Sequence, residues 1–381
     1  MASVLEHLDA LPGGAHLRAA VAETGVPAYL VGGAVRDLLL GRTPRELDVA
    51  VEGDPEPLLL ALGGEAERHP RFGTAVVRGD GWCVDVARCR VETYAYPGAL
   101  PDVEPADIAT DLLRRDATIN AIAIRLTDGR EVAAPSARAD LDAGVLRVLH
   151  DRSFLDDPTR LWRLSRYRAR LGFALEPKTD GLAAAAVDGG ALERVSGTRI
   201  GNELRLALRE DDPAGALRSA VAMGLAPWLD PDERRIGVVA VDAREDLVTL
   251  AAALAPDTDA AFLHELGFSR AESEVLLRAL AVRAGHHRPV GARASEVAEA
   301  FRGLPVEALA LAPKEDRAAV RRWLDELRHV RLEISGDDLL AAGVPRGPEV
   351  GARLEAALAA VLNGEVPGDR EAQLRAALAG P

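Results

Sequence analysis

Hydrophobic and polar residues follow two different patterns along the chain. Up to about residue 150, short apolar runs such as "AYLV", "LDVAV" and "TAVV" are separated by glycine, proline and charged residues, which is typical of strands with a few helices between them. From residue 158 onward, Ala, Leu, Arg and Glu recur at helical spacing, broken by glycine and proline. The pattern predicts an α+β fold class for the first part and an all-helical remainder.

Turn signals predict the individual elements of the first part. "AYLVGG" predicts a strand, "AVRDLLLG" a helix that ends at Gly41, "ELDVAV" a second strand and "DPEPLLLALGG" a second helix. The "GDG" between "GTAVVRG" and "WCVDVARCRVE" predicts a hairpin. Residues 93–110 contain three prolines. They predict a long loop, which is either a functional or mobile segment or a plain connector.

Two acidic residues share one face of the predicted "ELDVAV" strand. Residues two apart in a strand point the same way, so Glu46 and Asp48 lie together while the apolar residues between them face the core. Two carboxylates this close repel each other unless a cation lies between them. Mg²⁺ is bound through one or two carboxylates together with substrate phosphates. The pair predicts a Mg²⁺ site, and the alternative is a solvated acidic edge strand.

A glycine pair just upstream adds a phosphate-binding feature. Gly32 and Gly33 lie between the strand and the helix, where backbone N–H groups bind phosphate and the missing side chains allow close approach. Arg36, on the first turn of the helix, could reach the same phosphates. The turn lacks the G-x-G-x-x-G spacing, so a dinucleotide site is not predicted.

Two further segments supply candidate site residues. Asp85 in "WCVDVAR" could complete the metal site from an adjacent strand, or it could form a structural ion pair with Arg88. In "DLLRRDATINAIAI", adjacent arginines suit the neutralisation of a triphosphate, and an asparagine could bind sugar or base. Taken alone, that run would be a helix N-terminus with solvated arginines. Its candidates are Arg114, Arg115, Asp116 and Asn120.

The segment "DDPTR" combines an acceptor and a donor on one helix face. Asp157 and Arg160 are three residues apart at the start of a predicted helix, so they are neighbours on its surface. Ionised aspartate only accepts hydrogen bonds and arginine only donates them. Cytosine and adenine present an amine beside a ring nitrogen, whereas uracil and guanine present the reverse. The pair could therefore select C and A without a template, and the alternative is an N-capping ion pair.

The composition limits the classes of partner. The formal net charge of −14 argues against a nucleic-acid partner, but residues 147–170 hold seven arginines against three aspartates. No apolar run is long enough for a membrane span, and the N-terminus does not resemble a signal peptide. Cys83 and Cys89 lack metal-type spacing. They predict reduced thiols in a cytoplasmic protein.

Several segments resemble, in the same order, the motifs of one family. These are "LVGGAVRDLLLG" followed by acid-x-Asp, then "RRDATINA", "DDPTR", "RYRARLGF", "ERVSGTRIGNELRLAL" and "ISGDDLLAAGVPRGPEVG". They are similar to motifs of class II tRNA nucleotidyltransferases, the CCA-adding enzymes, and of the related bacterial poly(A) polymerases. The resemblance extends from residue 29 to residue 351.

The resemblance implies a fold, a reaction and a set of roles. It implies a polymerase-β-like nucleotidyltransferase head (residues 1–150), a helical neck (151–215) and a helical body and tail that bind tRNA (216–381). It implies Mg²⁺-dependent transfer of CMP and AMP from CTP and ATP to the 3′ end of tRNA. Residues 93–110 fall where the family has its mobile loop. The implied roles are metal binding and catalysis for Glu46 and Asp48, nucleotide binding for Gly32, Gly33, Arg36, Arg115, Asp116 and Asn120, and base reading for Asp157 and Arg160.

Two positions depart from the family pattern and leave the activity open. Glu46 replaces the usual first aspartate, and Ala117 replaces the usual phenylalanine beside the nucleotide site. The alternatives to a full CCA-adding enzyme are a partial enzyme that adds only A or only CC beside a sister nucleotidyltransferase, a poly(A) polymerase, and a non-catalytic RNA-binding paralogue. No strongly basic tail supports the poly(A) polymerase. The motif residues Arg36, Arg115, Asp157 and Arg160 are all present, which speaks against a decayed paralogue.

Overall fold

The computed structural model describes residues 4–69, 73–232, 234–236 and 246–380. The chain divides into two compact units, Met1–Pro227 and Trp228–Pro381. The division into head, neck and body with tail stays a prediction. The first unit contains the strands that surround the candidate site, and the second is built from helices.

The first unit is organised around one mixed sheet. Its strand order is β3-β4-β5-β2-β1-β8-β9, in which β2 and β5 are parallel and the other neighbours are antiparallel. The expected hairpin is confirmed, since β4 and β5 pair directly from Gly79 opposite Trp82. The sheet strands are β1 Ala28–Val31, β2 Leu47–Val51, β3 Glu65–His69, β4 Thr74–Gly79, β5 Trp82–Arg88, β8 Ile122–Arg125 and β9 Glu131–Ala133.

Two small sheets depart from the predicted elements. Residues 93–110 do not form one long loop, because β6 (Arg90–Thr93) and β7 (Asp102–Pro105) pair as an antiparallel ribbon. The predicted strand "WCVDVARCRVE" is interrupted at Cys89, and its last residues belong to β6, which lies outside the main sheet with β7. The part of the chain after residue 158 is also not purely helical, since β11 (Ala174–Leu175) pairs with β10 (Val145–Leu146).

The helices of the first unit begin and end near the expected signals. Helix α3 starts at the glycine pair, and α8 ends at Gly172, which adopts the left-handed conformation that favours glycine. A short 3₁₀ turn covers Thr118–Asn120. The helices are α1 Val4–Asp9, α2 Gly14–Thr24, α3 Gly32–Leu39, α4 Glu56–Leu62, α5 Ile108–Leu113, α6 Ala137–Ala143, α7 Ser153–Asp156, α8 Thr159–Leu171, α9 Pro177–Asp188, α10 Gly197–Leu208 and α11 Pro213–Ala222.

Strand β2 shows why the sheet presents acids on one side. Leu47, Val49 and Val51 are all buried, as the alternation predicted. Their burial excludes a one-residue shift of register, which would turn Asp48 into the core. The predicted fold class, an α+β first part followed by a largely helical region, is confirmed.

The second unit is helical over its described residues. A compact apolar core near its C-terminus is formed by Ile334, Leu339, Val344, Ala357 and Ala377. No helix in the described part of the chain is long and apolar enough to cross a membrane. The helices are α12 Asp246–Ala253, α13 Ala260–Glu265, α14 Arg270–Arg283, α15 Ala294–Phe301, α16 Arg317–Asp325, α17 Gly336–Ala341, α18 Pro348–Leu362 and α19 Arg370–Ala379.

Candidate active site

Three acidic side chains form an acid cluster at the centre of the main sheet. Asp48 on β2 lies directly opposite Asp85 on β5 in the parallel register. Glu46 precedes β2 by one residue and is exposed. One carboxylate oxygen from each residue lies within 4.8 Å of the others. Arg88 lies three residues beyond Asp85 in β5, on the opposite face of the strand, so the geometry favours the cluster over an Asp85–Arg88 ion pair.

The electrostatics of the acid cluster favour a bound cation. Burial, then the neighbouring Asp85 carboxylate, raises the pKa of Asp48 to about 6. Burial and Glu46 likewise raise the pKa of Asp85. The shifts come first from burial and then from repulsion between neighbouring carboxylates, and a divalent cation bound by the cluster would stabilise the charged forms. Hard divalent cations prefer oxygen ligands, and the three carboxylates supply them. Mg²⁺ is one such cation.

Gly32 keeps the space beside the acid cluster open. Its φ of +66° is in the left-handed region, where side chains are disfavoured. A Cβ atom there would lie 3.1 Å from Nη1 of Arg115 and 3.5 Å from Oδ2 of Asp48. The glycine therefore leaves a gap between the Arg115 guanidinium and the Asp48 carboxylate at the N-terminus of α3. Such a gap, lined by backbone N–H groups, suits a phosphate.

Arg36 is a buried supporting residue in this structure. It is 1% exposed, and its Nη1 atom donates to Oδ1 of Asn120 at 2.9 Å. Its Nε atom donates to Oδ1 of Asp37 at 2.8 Å, and its guanidinium carbon lies 5.4 Å from the ring centroid of Tyr167. The side chain orients Asn120, and direct contact between Arg36 and a phosphate stays a prediction.

Asp116 accepts hydrogen bonds from several side chains of the same buried network. Its Oδ1 atom accepts from Asn120 at 2.9 Å, and its Oδ2 atom accepts from the hydroxyl of Tyr167 at 2.7 Å. Arg163 approaches Oδ2 at 3.5 Å. Although burial acts in the opposite direction, Arg163 and the hydrogen bonds lower the pKa of Asp116 to about 2. The carboxylate is therefore ionised and fixed at neutral pH.

The two adjacent arginines of "RRD" have different surroundings. Arg114 pairs with Glu92 at 2.9 Å and with Asp111 at 2.8 Å. Arg115 donates from Nη2 to Asp111 at 2.9 Å, while its Nη1 atom faces Gly32. Its buried Nε atom has no hydrogen-bond partner among the described residues. Arg115 therefore retains donor capacity beside the acid cluster, whereas Arg114 holds the ribbon.

Asp157 and Arg160 sit at the junction of α7 and α8. Arg160 is 4% exposed, and it donates to Ser153 Oγ and to the backbone oxygen of Arg114, both at 2.8 Å. Its Nη2 atom also lies 3.4 Å from the hydroxyl of Tyr94. The Asp157 carboxylate caps the start of α8, since Thr159 N donates to its Oδ1 atom at 3.1 Å. Asp157 forms its ion pair with Arg199 and not with Arg160, so the N-capping ion pair of the alternative is not formed.

One cavity of about 610 Å³ brings most of the predicted site residues together. It joins the acid cluster's two aspartates to the glycine turn and to the Asp157–Arg160 pair. Glu46 and Arg36 line a neighbouring cavity of about 650 Å³, which shares Gly33 and Asp48 with the first. The predicted residues that line the first cavity are Gly32, Gly33, Asp48, Asp85, Arg114, Arg115, Asp116, Asn120, Asp157 and Arg160.

The same cavity contains side chains that the motifs did not single out. Arg163 and Tyr167 follow Arg160 by three and seven residues on α8, so helical spacing could have found them. Glu92 lies in β6 and Tyr94 directly after it. The predicted strand "WCVDVARCRVE" ran through Glu92, but its pairing with β7 was not predicted. A site prediction from motifs alone therefore missed the ribbon wall of the cavity.

Comparison with known proteins places these features in a family. Residues 28–147 match the family model described as the poly A polymerase head domain. An A-adding tRNA nucleotidyltransferase of Geobacter sulfurreducens is 35% identical over 93% of this chain, which covers 45% of that relative. The aligned regions cover 45%, 46% and 23% of the A-adding relatives of Geobacter sulfurreducens, Halalkalibacterium halodurans and Aquifex aeolicus, so the match spans less than half the length of these relatives. A CC-adding tRNA nucleotidyltransferase of Deinococcus radiodurans is 34% identical over 85% of this chain and 82% of its own length.

Solved structures agree with the sequence comparison. A CCA-adding enzyme in complex with CTP aligns with a TM-score of 0.77 and 28% identity, over 99% of this chain and 97% of that chain. The Thermotoga maritima CCA-adding enzyme complexed with tRNA aligns with a TM-score of 0.72 and 28% identity, over 99% of this chain and 97% of that chain. With the relatives above, these matches show that the chain belongs to the class II tRNA nucleotidyltransferase, or CCA-adding enzyme, family with its poly A polymerase head domain.

Proposed function

We propose that the protein is a template-independent nucleotidyltransferase that adds C and A residues of the 3′-terminal CCA to tRNA, using CTP and ATP. One observation carries the proposal: a single cavity joins the aspartates of the acid cluster, a glycine turn suited to phosphate, and the Asp157–Arg160 pair suited to base selection. The names of the aligned relatives and the bound CTP and tRNA of the aligned structures support it.

In the proposed reaction, the terminal 3′-hydroxyl of the RNA attacks the α-phosphorus of the nucleotide. A new P–O bond forms in line with the bond to the β-phosphate, which breaks and releases pyrophosphate. Glu46, Asp48 and Asp85 would hold Mg²⁺, which when bound supplies stabilisation of negative charge on the reacting oxygens. No covalent intermediate with the protein is required.

The remaining residues bind and orient the nucleotide. The backbone at Gly32 and Gly33 and the free donors of Arg115 bind phosphate oxygens. Asn120, held by Asp116 and Arg36, faces the sugar or base. The nucleotide would thus be held both at its phosphates and at its sugar or base. These contacts would orient it before the hydroxyl attacks.

Base selection follows from the Asp157–Arg160 pair. Asp157 accepts from the exocyclic amine of cytosine or adenine, and Arg160 donates to the adjacent ring nitrogen. Uracil and guanine would place a carbonyl against the carboxylate and an N–H against the guanidinium. A site of this kind rejects the wrong partner strongly because its own polar groups are left unpaired. No template strand is needed.

A partial activity is a second candidate. The A-adding relatives of Geobacter, Halalkalibacterium and Aquifex align at 35%, 41% and 44% identity, whereas the Deinococcus relative is CC-adding. An A-adding enzyme would extend only tRNA that already ends in -CC. Such an enzyme requires a sister nucleotidyltransferase that adds the two C residues.

The test is an extension assay with three acceptors. Purified protein, Mg²⁺, CTP and ATP are incubated with tRNA ending at the discriminator base, at -C or at -CC. A CCA-adding enzyme extends all three, an A-adding enzyme extends only the third, and a CC-adding enzyme extends only the first two and stops at -CC. No extension of any acceptor contradicts the proposed function.

A further inference from the structure

Arg199 joins the base-selecting aspartate to the ribbon connection. It lies on α10, far from Asp157 in sequence, and its Nη2 atom donates to Asp157 Oδ1 at 2.8 Å. Its Nη1 atom donates to the backbone oxygen of Gly98 at 3.0 Å. Gly98 belongs to the segment that connects β6 with β7. The planar guanidinium therefore holds two separate segments at once, one with each terminal nitrogen.

The hydrogen bonds to Asp157 are distributed unevenly over its carboxylate. Oδ1 accepts from Arg199 Nη2, from Thr159 N at 3.1 Å and from Thr159 Oγ1 at 2.7 Å. Within the part of the chain that the structure describes, no donor reaches Oδ2. Three donors on one oxygen fix the rotation of the carboxylate. The other oxygen, Oδ2, is left available as an acceptor, and Asp157 lines the 610 Å³ cavity described above.

We propose that Arg199 is a specificity-determining positioning residue for nucleotide selection. By holding Oδ1, it directs Oδ2 of Asp157 toward the position of the exocyclic amine of cytosine or adenine. The inference rests on the base-selecting part of the proposed function. Arg199 is not among the residues that line the cavity, so it would act through Asp157.

The second base-selecting residue is held independently of Arg199. Arg160 is fixed by Ser153 Oγ and by the backbone oxygen of Arg114. Loss of Arg199 would therefore leave Asp157 Oδ1 held by Thr159 alone and loosen its carboxylate, while Arg160 keeps its position. The expected defect is a loss of discrimination between amine-bearing and carbonyl-bearing bases, with nucleotide binding retained.

Arginine suits this position better than lysine. A guanidinium donates in two directions from a planar fork, whereas the lysine ammonium is a single point on a flexible chain. At Gly98, φ is +81°, and a Cβ atom would lie 3.0 Å from the backbone oxygen of Arg194. Glycine thus allows the chain to bring its carbonyl to Arg199. Lysine could keep one of the two contacts and is expected to support partial selectivity.

The experiment measures equilibrium binding of ATP, CTP, UTP and GTP, each with Mg²⁺, to the full chain without tRNA. The variants are Arg199→Ala and Arg199→Lys, and the control is Asn202→Ala, an exposed position on the same helix. We expect the wild type and the control to prefer ATP, CTP or both over UTP and GTP. In Arg199→Ala, the ratio between the dissociation constants of the disfavoured and the preferred nucleotides should fall by about tenfold or more. This lies within the range that one base-reading contact provides. Arg199→Lys should be intermediate.

Added guanidinium ion at low millimolar concentration provides a second readout. It should restore part of the preference in Arg199→Ala and leave Asn202→Ala unchanged, which a general folding defect would not do. If Arg199→Ala fails to fold, the comparison of Arg199→Lys with the wild type decides. An unchanged preference in the folded Arg199 variants, or a wild type that binds all four nucleotides equally, overturns the inference. A wild type that selects nucleotides but does not extend tRNA contradicts only the proposed function.

Discussion

Asp48 and Asp85 face each other across the parallel pair β2 and β5, and this relationship builds the acid cluster. The two residues are far apart in sequence, and only the parallel pairing of their strands brings them into register. Burial and then the Asp85 carboxylate raise the pKa of Asp48, whereas burial and then the Glu46 carboxylate raise the pKa of Asp85. The pair is therefore a candidate metal site, and its metal binding can be tested.

Removal of Asp85 should weaken metal binding. Asp85→Asn keeps the size of the side chain but removes one charged ligand from the cluster. We expect the Mg²⁺ concentration at half-maximal extension rate to rise by at least about tenfold, the lower end of the effect seen for residues that only support metal ligands. The matched control is Asp80→Asn, at the exposed turn between β4 and β5. Equal Mg²⁺ curves for Asp85→Asn and Asp80→Asn would remove Asp85 from the site.

Glu46 should show the same metal dependence although it is exposed and lies outside β2. Glu46→Ala is expected to shift the Mg²⁺ titration in the same direction as Asp85→Asn, because both residues contribute to one group of oxygens. Glu46→Asp, which restores the usual family residue, should retain most of the wild-type response. An unchanged Mg²⁺ titration in Glu46→Ala would show that the longer side chain does not reach the metal.

A side chain at Gly32 should block the phosphate gap. In Gly32→Ala the new methyl would lie near Arg115 and Asp48, so kcat/KM for the nucleotide should fall by roughly a hundredfold, as small misplacements at a reacting centre can do. Gly41→Ala is the matched control, since Gly41 has a φ of +70° with open space around it. Both variants carry the cost of a left-handed alanine, and only Gly32→Ala should lose activity. Similar kcat/KM values would contradict the assigned gap.

The stability contributed by Asp116 should depend on pH. Its folded pKa of about 2 lies below the ordinary value of 3.8, so its ionised form is stabilised in the folded protein. That contribution, about 2 kcal/mol, is fully present above pH 4 and disappears as the pH falls toward 2. The difference in unfolding free energy between the wild type and Asp116→Asn, measured with urea, should shrink over this window.

An exposed aspartate provides the control for this pH effect. Asp128 pairs with Arg125, which lowers the pKa of Asp128 to about 2 as well, but its side chain is 49% exposed. Solvent screening makes such surface pairs weak, so Asp128→Asn should change stability little at any pH. A pH-independent difference for Asp116→Asn would show that its carboxylate is not held in ionised form by the network.

Much of the fold could be predicted from local patterns, and the exceptions have physical causes. The alternation in "LDVAV" predicted the buried face of β2, and glycine and proline predicted the ends of α3 and α8. Residues up to Glu92 were predicted as strand, but β7 and its pairing with β6 were missed, because β7 lies in the proline-containing segment and no local signal states its partner. The strand order could not be predicted, since no local signal states which distant strand lies beside β2.

The motifs predicted many of the residues that line the cavity, but not the contacts that each one makes. The resemblance assigned nucleotide binding to Arg36 and Asp116, which stays a prediction, and the structure shows what each one contacts. Arg36 supports Asn120, and Asp116 is saturated by three neighbours. Arg199 lies in a segment that resembled the family without a stated role, and only the distance to Asp157 suggests one. Long-range contacts of this kind cannot be read from spacing.

Incorporation of single nucleotides into tRNA tests the central claim most directly. Wild-type protein and Asp157→Ala are incubated with Mg²⁺ and each of the four nucleoside triphosphates in turn, on tRNA ending at the discriminator base, -C or -CC. The wild type should incorporate only C, only A, or each at its proper acceptor, and Asp157→Ala should lose both rate and discrimination. Incorporation of U and G by the wild type at rates similar to C and A, or unchanged selectivity in Asp157→Ala, would contradict the account.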